Sequence, residues 1–207
     1  MIRYIISVII GYLFGCIQTS YFIGKIIKKT DIRSLGNGNA GASNATKVFG
    51  WKYGIIVALI DIIKPIASII LIHYLWNNIL AADELIFLKF LNGLGVILGH
   101  NYPFFMKFKG GKGTASLIGM LIAIDIKIAI IGIVLIVLTT IITDYIALGT
   151  MALVISFVIT LIIFEYPFYC ILISVIIAAM SIYKHIPNMI NIKNKTETGL
   201  RQVIRKK

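Results

Sequence analysis

Seven runs of apolar residues, separated by short polar segments, follow one another along the chain. They cover residues 4–24, 53–76, 85–106, 113–124, 128–143, 145–164 and 166–183. An α-helix needs about 20 apolar residues to cross the hydrocarbon core of a bilayer. The pattern predicts an all-α polytopic membrane protein with seven transmembrane helices, in which residues 1–207 form one integral-membrane domain.

The stretch 113–143 is the ambiguous part of this pattern. It is long for one span, and Asp125 and Lys127 interrupt it. It therefore predicts either one tilted helix or two short ones.

The distribution of basic residues favours seven spans over six. With seven, only Arg3, Lys89 and Lys127 lie outside, whereas six spans would carry the basic C-terminal tail across the membrane. Because Lys and Arg concentrate in cytoplasmic loops, we expect the N-terminus outside and the C-terminus in the cytoplasm. The same arrangement places polar segments 30–50, 107–116 and 184–197 on the cytoplasmic side.

Composition supports a membrane protein and narrows the classes of partner. The chain is 59% hydrophobic and 14% charged, against about 45–50% and 25% in soluble proteins. Its net charge of +12 would suggest nucleic acid in a soluble protein, but the basic residues lie in short loops between apolar runs. These basic residues instead indicate the topology of the chain and the binding of anionic substrates, and we expect no nucleic acid as a partner. Cys16 and Cys170 lack metal-ligand spacing, so we expect buried packing roles, no metal and no cofactor.

The first polar segment, residues 34–50, combines glycine with asparagine. Exposed backbone amides in such a loop can form an anion-binding nest, to which Lys47 adds a positive charge. The alternative is a flexible polar linker, which does not need this composition. The candidate phosphate-binding residues here are Gly36, Asn37, Gly38, Asn39, Gly41, Ser43 and Asn44.

The second segment, residues 99–116, surrounds glycines with lysines at the start of a predicted helix. Backbone amides and a helix N-terminus can donate to phosphate, and Lys112 supplies a compact charge. The loop is not a Walker A motif, because Gly113 follows Lys112 where Ser or Thr is required. The concentration of basic residues in cytoplasmic loops is enough to explain Lys107 and Lys109. The other candidates are His100, Gly110, Gly111, Gly113, Thr114 and Ser116, although His100 has the alternative role of satisfying a backbone carbonyl.

Two further groups of polar residues are candidates. His185 and Asn188 are three residues apart and can share a helical face, either to bind substrate or to cap a helix. Glu197 is better explained as an ion-pair partner of the basic tail than as a general base. Asp61 and Lys64 lie in an apolar run at i and i+3, where charge is costly, so they form either a functional pair or a structural one.

Taken together, these motifs resemble the acyl-phosphate:glycerol-3-phosphate acyltransferase family of bacterial inner membranes, the PlsY type. The resemblance covers nearly the whole chain through SLGNGNAGASNATK, GHNYPFF with FKGGKGTAS, and HIPN with Glu197 downstream. The chain departs from the family pattern at Asn37, Ser43, Lys47 and Asn191, where the family has Ser, Thr, Arg and Arg. Lys47 keeps the charge of arginine but not its bidentate fork.

The resemblance implies transfer of a fatty acyl group from acyl phosphate to the first hydroxyl of glycerol 3-phosphate, giving lysophosphatidic acid and inorganic phosphate. It implies catalytic roles for Lys47, Lys112, His185 and Asn188, with Asp61, Lys64 and Glu197 in support. The proton acceptor is either His185 or a substrate phosphate. We expect a monomer in the bacterial inner membrane, in contact with membrane lipid, with its active site facing the cytoplasm.

Two other functions use the same features. A transporter or flippase for phosphorylated lipids or organic anions could bind through the basic glycine loops, but the sequence has no internal repeat. A noncatalytic assembly partner could bind anionic lipid. The His-x4-Asp signature of other glycerophosphate acyltransferases is absent, because Asn78, Phe105 and Ile190 follow the three histidines at that spacing.

Overall fold

The computed structural model describes residues 1–205, which form ten α-helices and two short 3-10 helices without a strand. The predicted all-α class is confirmed. The chain divides into two compact units, the first Met1–Ile124 and the second beginning at Asp125. That the whole chain acts as one membrane domain stays a prediction.

Six α-helices belong to the first unit and four to the second. The first unit contains α1 Ile2–Gly15, α2 Thr19–Ile26, α3 Ala42–Phe49, α4 Trp51–Trp76, α5 Ala82–Asn101 and α6 Thr114–Ile124, with 3-10 helices at Ile32–Ser34 and Phe104–Met106. The second contains α7 Ile126–Thr143, α8 Ile146–Ile163, α9 Phe168–Lys193 and α10 Leu200–Arg205.

Five segments within residues 1–205 are long and apolar enough to cross a membrane. They are the apolar segment Ile2–Ile26, which contains both α1 and α2, and the helices α4, α7, α8 and α9. Helix α5 is long enough but carries polar residues that face its neighbours, and α6 has only 11 residues. Seven spans and the orientation of the termini therefore stay predictions.

Helices α1 and α5 pack closely through glycines that the sequence reading did not single out. Gly11 and Gly15 are four residues apart on α1, as are Gly95 and Gly99 on α5, and a Cβ at any of them would collide with the partner backbone. Such small-xxx-small patterns let helix backbones approach one another in membranes. The Ser7 hydroxyl adds a hydrogen bond of 2.8 Å to the Leu88 carbonyl.

Residues 113–143 form two helices, as one of the two sequence interpretations expected. Asp125 has an extended backbone between α6 and α7, and its carboxylate accepts a hydrogen bond of 2.8 Å from the Lys127 amide. The Tyr166 hydroxyl donates to the same carboxylate at 2.9 Å. Burial, followed by this hydrogen bond to a carboxylate, raises the pKa of Tyr166 above its ordinary value. Asp125 thus ends one helix and caps the next.

The second unit begins with an antiparallel pair, α7 and α8, joined at Asp144. Asp144 has the left-handed φ of 71° that permits the short turn. Its carbonyl accepts a hydrogen bond of 2.7 Å from the Leu200 amide, and its carboxylate accepts one of 2.8 Å from the Arg201 amide. The start of α10 is thereby bound to this turn. Cys170 in α9 and Cys16 in the first unit are both buried thiols, as their packing roles predict.

The capping role of Asp125 predicts a specific loss of stability. Replacing it with Ala removes the acceptor for the Lys127 amide and for Tyr166, and losing an N-cap alone costs about 1 kcal/mol. We expect D125A to lower the unfolding temperature of the purified protein in detergent. Lys127→Ala is the matched control because it keeps the backbone N–H; an equal loss in K127A would contradict the assignment.

Candidate functional site

The first polar segment folds around the side chain of Asn44. Asn44 is 1% exposed, and its Oδ1 accepts a hydrogen bond of 2.7 Å from the Asn37 amide. Its Nδ2 donates to the carbonyls of Ile32, Leu35 and Asn39 at 3.2, 3.1 and 2.8 Å. We call residues 35–41 the asparagine loop. The buried Asn44 side chain holds this loop from inside, and the phosphate-binding role expected for it from the sequence stays a prediction.

The exposed side of the asparagine loop retains the predicted phosphate-binding groups. Gly36 and Gly38 have φ of 57° and 70°, a left-handed conformation that favours glycine. Asn37 is exposed, and the Lys47 ammonium donates to its Oδ1 at 2.8 Å. The Asn39 carboxamide accepts from the Gly41 amide at 3.0 Å, which rigidifies the entry into α3. Ser43, on the first turn of α3, is exposed.

Arg33 connects the asparagine loop with the second polar segment. Its guanidinium donates to both carboxylate oxygens of Asp31, at 3.0 and 2.8 Å. The same guanidinium donates to the Met106 carbonyl at 2.7 Å, 73 residues along the chain. The hydrogen bonds from Arg33 lower the pKa of the Asp31 carboxyl and raise that of Arg33. The pair therefore stays ionised at neutral pH and weakens only on acidification through the lowered pKa of Asp31.

The second segment contains a lysine-rich turn, residues 107–113, which we call the lysine loop. It meets the asparagine loop where the Ala40 amide donates to the Gly110 carbonyl at 3.5 Å. Ala40, Met106, Ile32, Ala45 and Val57 form one buried apolar cluster. The structure thus brings the first two predicted segments together on a shared core within the first unit.

The glycines of the lysine loop serve close packing against the end of α5. The amides of Gly110 and Gly111 donate to the carbonyls of Asn101 and His100, at 3.1 and 3.0 Å. A Cβ at Gly111 would collide with the His100 ring, and one at Gly110 with the His100 carbonyl. The absence of a side chain at Gly110 and Gly111 is therefore needed for packing within the protein, apart from any approach of a ligand to their backbone.

Lys112 lies two residues before Thr114, the first residue of α6. It is half-buried, and Gly113, with φ 84°, provides the carbonyl that accepts the first helical hydrogen bond from Leu117 at 2.8 Å. The first amides of a helix have no acceptor within it and attract anions. Thr114 begins this turn, whereas Ser116 is 0% exposed, and its hydroxyl has no hydrogen-bond partner among the described residues.

Asp61, Lys64 and His100 form a buried polar cluster beneath the lysine loop. The Lys64 ammonium donates to the Asp61 carboxylate at 2.9 Å, as the i, i+3 spacing predicts. It lies 2.7 Å from His100 Nδ1. All three side chains are at most 4% exposed. The sequence alone allows either a functional or a structural role for Asp61 and Lys64. Their contacts connect both residues, through His100, to the loop that carries Lys112.

The third predicted group lies in the second unit. His185 and Asn188 are both buried on α9, and His185 Nδ1 lies 2.8 Å from the Ser181 carbonyl. Asn188 and Asn191 donate to the two carboxylate oxygens of Glu197 at 2.8 and 3.3 Å. These asparagine contacts differ from the expected ion pair of Glu197 with the basic tail, whose Lys206 and Lys207 lie outside the described residues.

Several residues at the site were missed by the sequence reading. Arg33 and Asp31 looked like ordinary loop charges, although their proximity to the glycine-rich segment was a usable signal. Ser20 donates to the Ala40 carbonyl at 2.7 Å, and Gln18 donates to the His100 carbonyl at 2.9 Å. Polar side chains inside the first apolar run could have been recognised as partners of the loops.

The chain is similar to known proteins over nearly its whole length. The chain matches the family model described as glycerol-3-phosphate acyltransferase over residues 5–195. It is 49% identical to glycerol-3-phosphate acyltransferase 1 of Oceanobacillus iheyensis, covering 99% of this chain and 98% of the relative. It is 33% identical to the glycerol-3-phosphate acyltransferase of Thermoanaerobacter pseudethanolicus, covering 96% of each chain.

Two solved structures share the fold. Both are crystal structures of PlsY, an integral membrane glycerol 3-phosphate acyltransferase. The glycerol 3-phosphate form has a TM-score of 0.86 and 29% identity, with 95% of each chain covered. The lysophosphatidic acid form has a TM-score of 0.80 and 28% identity, covering 98% of this chain and 99% of that one.

The role of Asn44 as the internal support of the asparagine loop predicts a loss of stability. In Asn44→Ala, the Asn37 amide and the Asn39 carbonyl lose their hydrogen-bond partner, whereas the Ile32 and Leu35 carbonyls keep backbone donors. Each buried polar group left unsatisfied costs about 1–3 kcal/mol. We expect a clearly lower free energy of unfolding, measured as the unfolding temperature in detergent. Ser43→Ala, on the exposed neighbour, should have little effect; a neutral N44A would refute the role.

Proposed function

Because the chain belongs to the glycerol-3-phosphate acyltransferase family, we propose that it transfers a fatty acyl group from acyl phosphate to the first hydroxyl of glycerol 3-phosphate. The products are lysophosphatidic acid and inorganic phosphate. The observation that carries this proposal is the joining of two glycine-containing loops on one core, through Arg33 and the Ala40–Gly110 contact. Lys112 lies within the lysine loop, and Lys47 on α3 contacts Asn37 of the asparagine loop. Such a surface suits two phosphate-bearing substrates.

The reaction requires the protein to align the two substrates and to stabilise the charge on phosphate. Acyl phosphate is an activated mixed anhydride, so the glycerol 3-phosphate hydroxyl can attack its carbonyl carbon without a covalent enzyme intermediate. The new ester C–O bond forms as the bond to phosphate breaks, and phosphate leaves with the electron pair. Lys112 and the N-terminus of α6 would stabilise that phosphate, and Lys47 with Asn37 would hold phosphate at the asparagine loop.

The proton of the attacking hydroxyl has two candidate acceptors. One is the departing phosphate. The other is His185: when its Nδ1 donates to the Ser181 carbonyl, 2.8 Å away, the lone pair lies on Nε2, the form needed in a base. Asn188, bound to Glu197, is our candidate for orienting glycerol 3-phosphate. If His185 is the base, H185Q should abolish the acidic limb of the pH–rate profile; a lowered rate with an unchanged profile assigns it a binding role.

The proposed activity is tested directly with purified protein in detergent. Supplied with acyl phosphate and glycerol 3-phosphate, it should release phosphate and lysophosphatidic acid in equal amounts. Acyl-CoA, offered separately, identifies the preferred donor. Because no membrane gradient exists in detergent, turnover also separates an enzyme from a transporter or flippase. No product with fresh acyl phosphate would overturn the proposal.

Lys112 and Lys107 should differ strongly in this assay. Lys112→Ala removes the charge beside the N-terminus of α6, and we expect kcat/KM to fall by about 10²-fold or more, as for loss of one electrostatic donor to a transition state. Lys107 is exposed, so Lys107→Ala should change kcat/KM by only a few-fold. Equal tolerance at both positions would refute the assignment of phosphate binding to Lys112.

We further propose that the chain crosses a bacterial inner membrane seven times as a monomer, with the loops and the C-terminus in the cytoplasm. The support is the placement of basic residues and the membrane location of the PlsY relatives. A green fluorescent protein fused after Lys207 should fluoresce, whereas alkaline phosphatase fused there should be inactive. The reverse result would contradict this orientation. Light scattering of the detergent complex gives the oligomeric state.

A further inference from the structure

The first apolar segment is interrupted inside its length, and Lys64 lies at the interruption. Helix α1 ends at Gly15 and α2 begins at Thr19. The ends of helices leave carbonyls without amide partners and carry a partial negative charge. The Lys64 ammonium donates to the carbonyls of Gly15 and Ile17, both at 3.2 Å. A buried cation thus satisfies backbone groups that the break would leave exposed to an apolar environment.

The same ammonium fixes the orientation of the His100 ring. An ammonium group only donates hydrogen bonds, so His100 Nδ1, 2.7 Å from Lys64 Nζ, accepts, and Nε2 carries the proton. Asp61, 2.9 Å from the ammonium, compensates its charge. The Lys64 ammonium therefore favours the His100 tautomer that has its proton on Nε2, although Asp61 Oδ1 also lies 3.6 Å from Nδ1.

His100 passes this constraint to the lysine loop through its ring and its backbone. Its Nε2 edge lies against Gly111, where even a Cβ atom would collide with the ring. Its carbonyl accepts hydrogen bonds from the Gly111 amide at 3.0 Å and from Gln18 at 2.9 Å. Gly111 is the direct neighbour of Lys112.

We propose that Lys64 is a positioning residue for acyl transfer. It holds His100, and through it Gly111 and the neighbouring Lys112, in a fixed place relative to the broken end of α1. Lys64 is 3% exposed and acts without touching substrate. This inference rests on the proposed function of the lysine loop, but the order of that loop can be measured without substrate.

The variants must separate positioning from simple loss of folding. Lys64→Met alone leaves the Asp61 carboxylate buried and unpaired, which is strongly destabilising. The double variant Asp61→Asn with Lys64→Met removes both charges while keeping similar volumes. Ser68→Ala is the matched control, because Ser68 lies on the same helix, is 0% exposed, and has a hydroxyl without a partner among the described residues.

Amide hydrogen exchange of the substrate-free protein tests the structural part of the inference. In D61N/K64M, residues 107–116 should exchange about 10-fold faster or more than in wild type, while α8 exchanges at the wild-type rate. The S68A control should match wild type throughout. Unchanged exchange in the loop, or a uniform increase over the whole protein, would overturn the inference. Neither outcome depends on which substrates the protein uses.

Kinetics per folded molecule test the functional part. We expect D61N/K64M to raise the KM for glycerol 3-phosphate and lower kcat, with a combined loss of about 10²-fold, the scale for misplacing a group by about 1 Å. Because Lys64 acts through His100, adding His100→Asn should cause little further loss. If the activity losses of D61N/K64M and His100→Asn add in full, Lys64 has a structural role only. The same conclusion follows if D61N/K64M lowers the folded fraction but leaves kcat and KM unchanged.

Discussion

A helix broken inside a membrane needs partners for its free carbonyls, and this constraint organises the first unit. The break after Gly15 directs the Gly15 and Ile17 carbonyls to the Lys64 ammonium. A buried ammonium needs a counter-charge, which Asp61 supplies three residues earlier on α4. Its remaining strong contact is His100, at the end of α5. One cation therefore connects the first apolar segment, α4 and α5 at the base of the lysine loop.

Above this cluster, buried side chains hold the two loops whose exposed faces we propose to bind phosphate. Asn44 supports the asparagine loop and His100 the lysine loop, while Arg33 connects the two. Because these contacts form within the protein, the proposed binding of phosphate would require little reordering of the loops and only a small entropy cost. The same organisation suits a reaction whose main requirement is alignment of two charged substrates.

The sequence was sufficient for the features that depend on local pattern. Apolar runs predicted the long helices, the interruption at Asp125 allowed two helices, and i, i+3 spacing predicted the Asp61–Lys64 pair. Long-range contacts left no comparable local signal. Nothing near Arg33 indicates a bond to the Met106 carbonyl, and the internal role of Asn44 depends on the path of residues 32–39. Helix α5 is less apolar than a lipid-facing span because its buried residues, among them Asn92 and His100, pack within the first unit.

An experimental structure of the protein with glycerol 3-phosphate would test the central claim, that a buried Lys64–His100 contact holds a phosphate-binding lysine loop. We predict phosphate oxygens within hydrogen-bond distance of the Lys112 ammonium or the first amides of α6, or of Lys47 and Asn37 on the asparagine loop. Lys64 should remain on His100 and the Gly15 carbonyl, away from the ligand. A phosphate bound far from both loops, or bound directly by Lys64, would contradict this account.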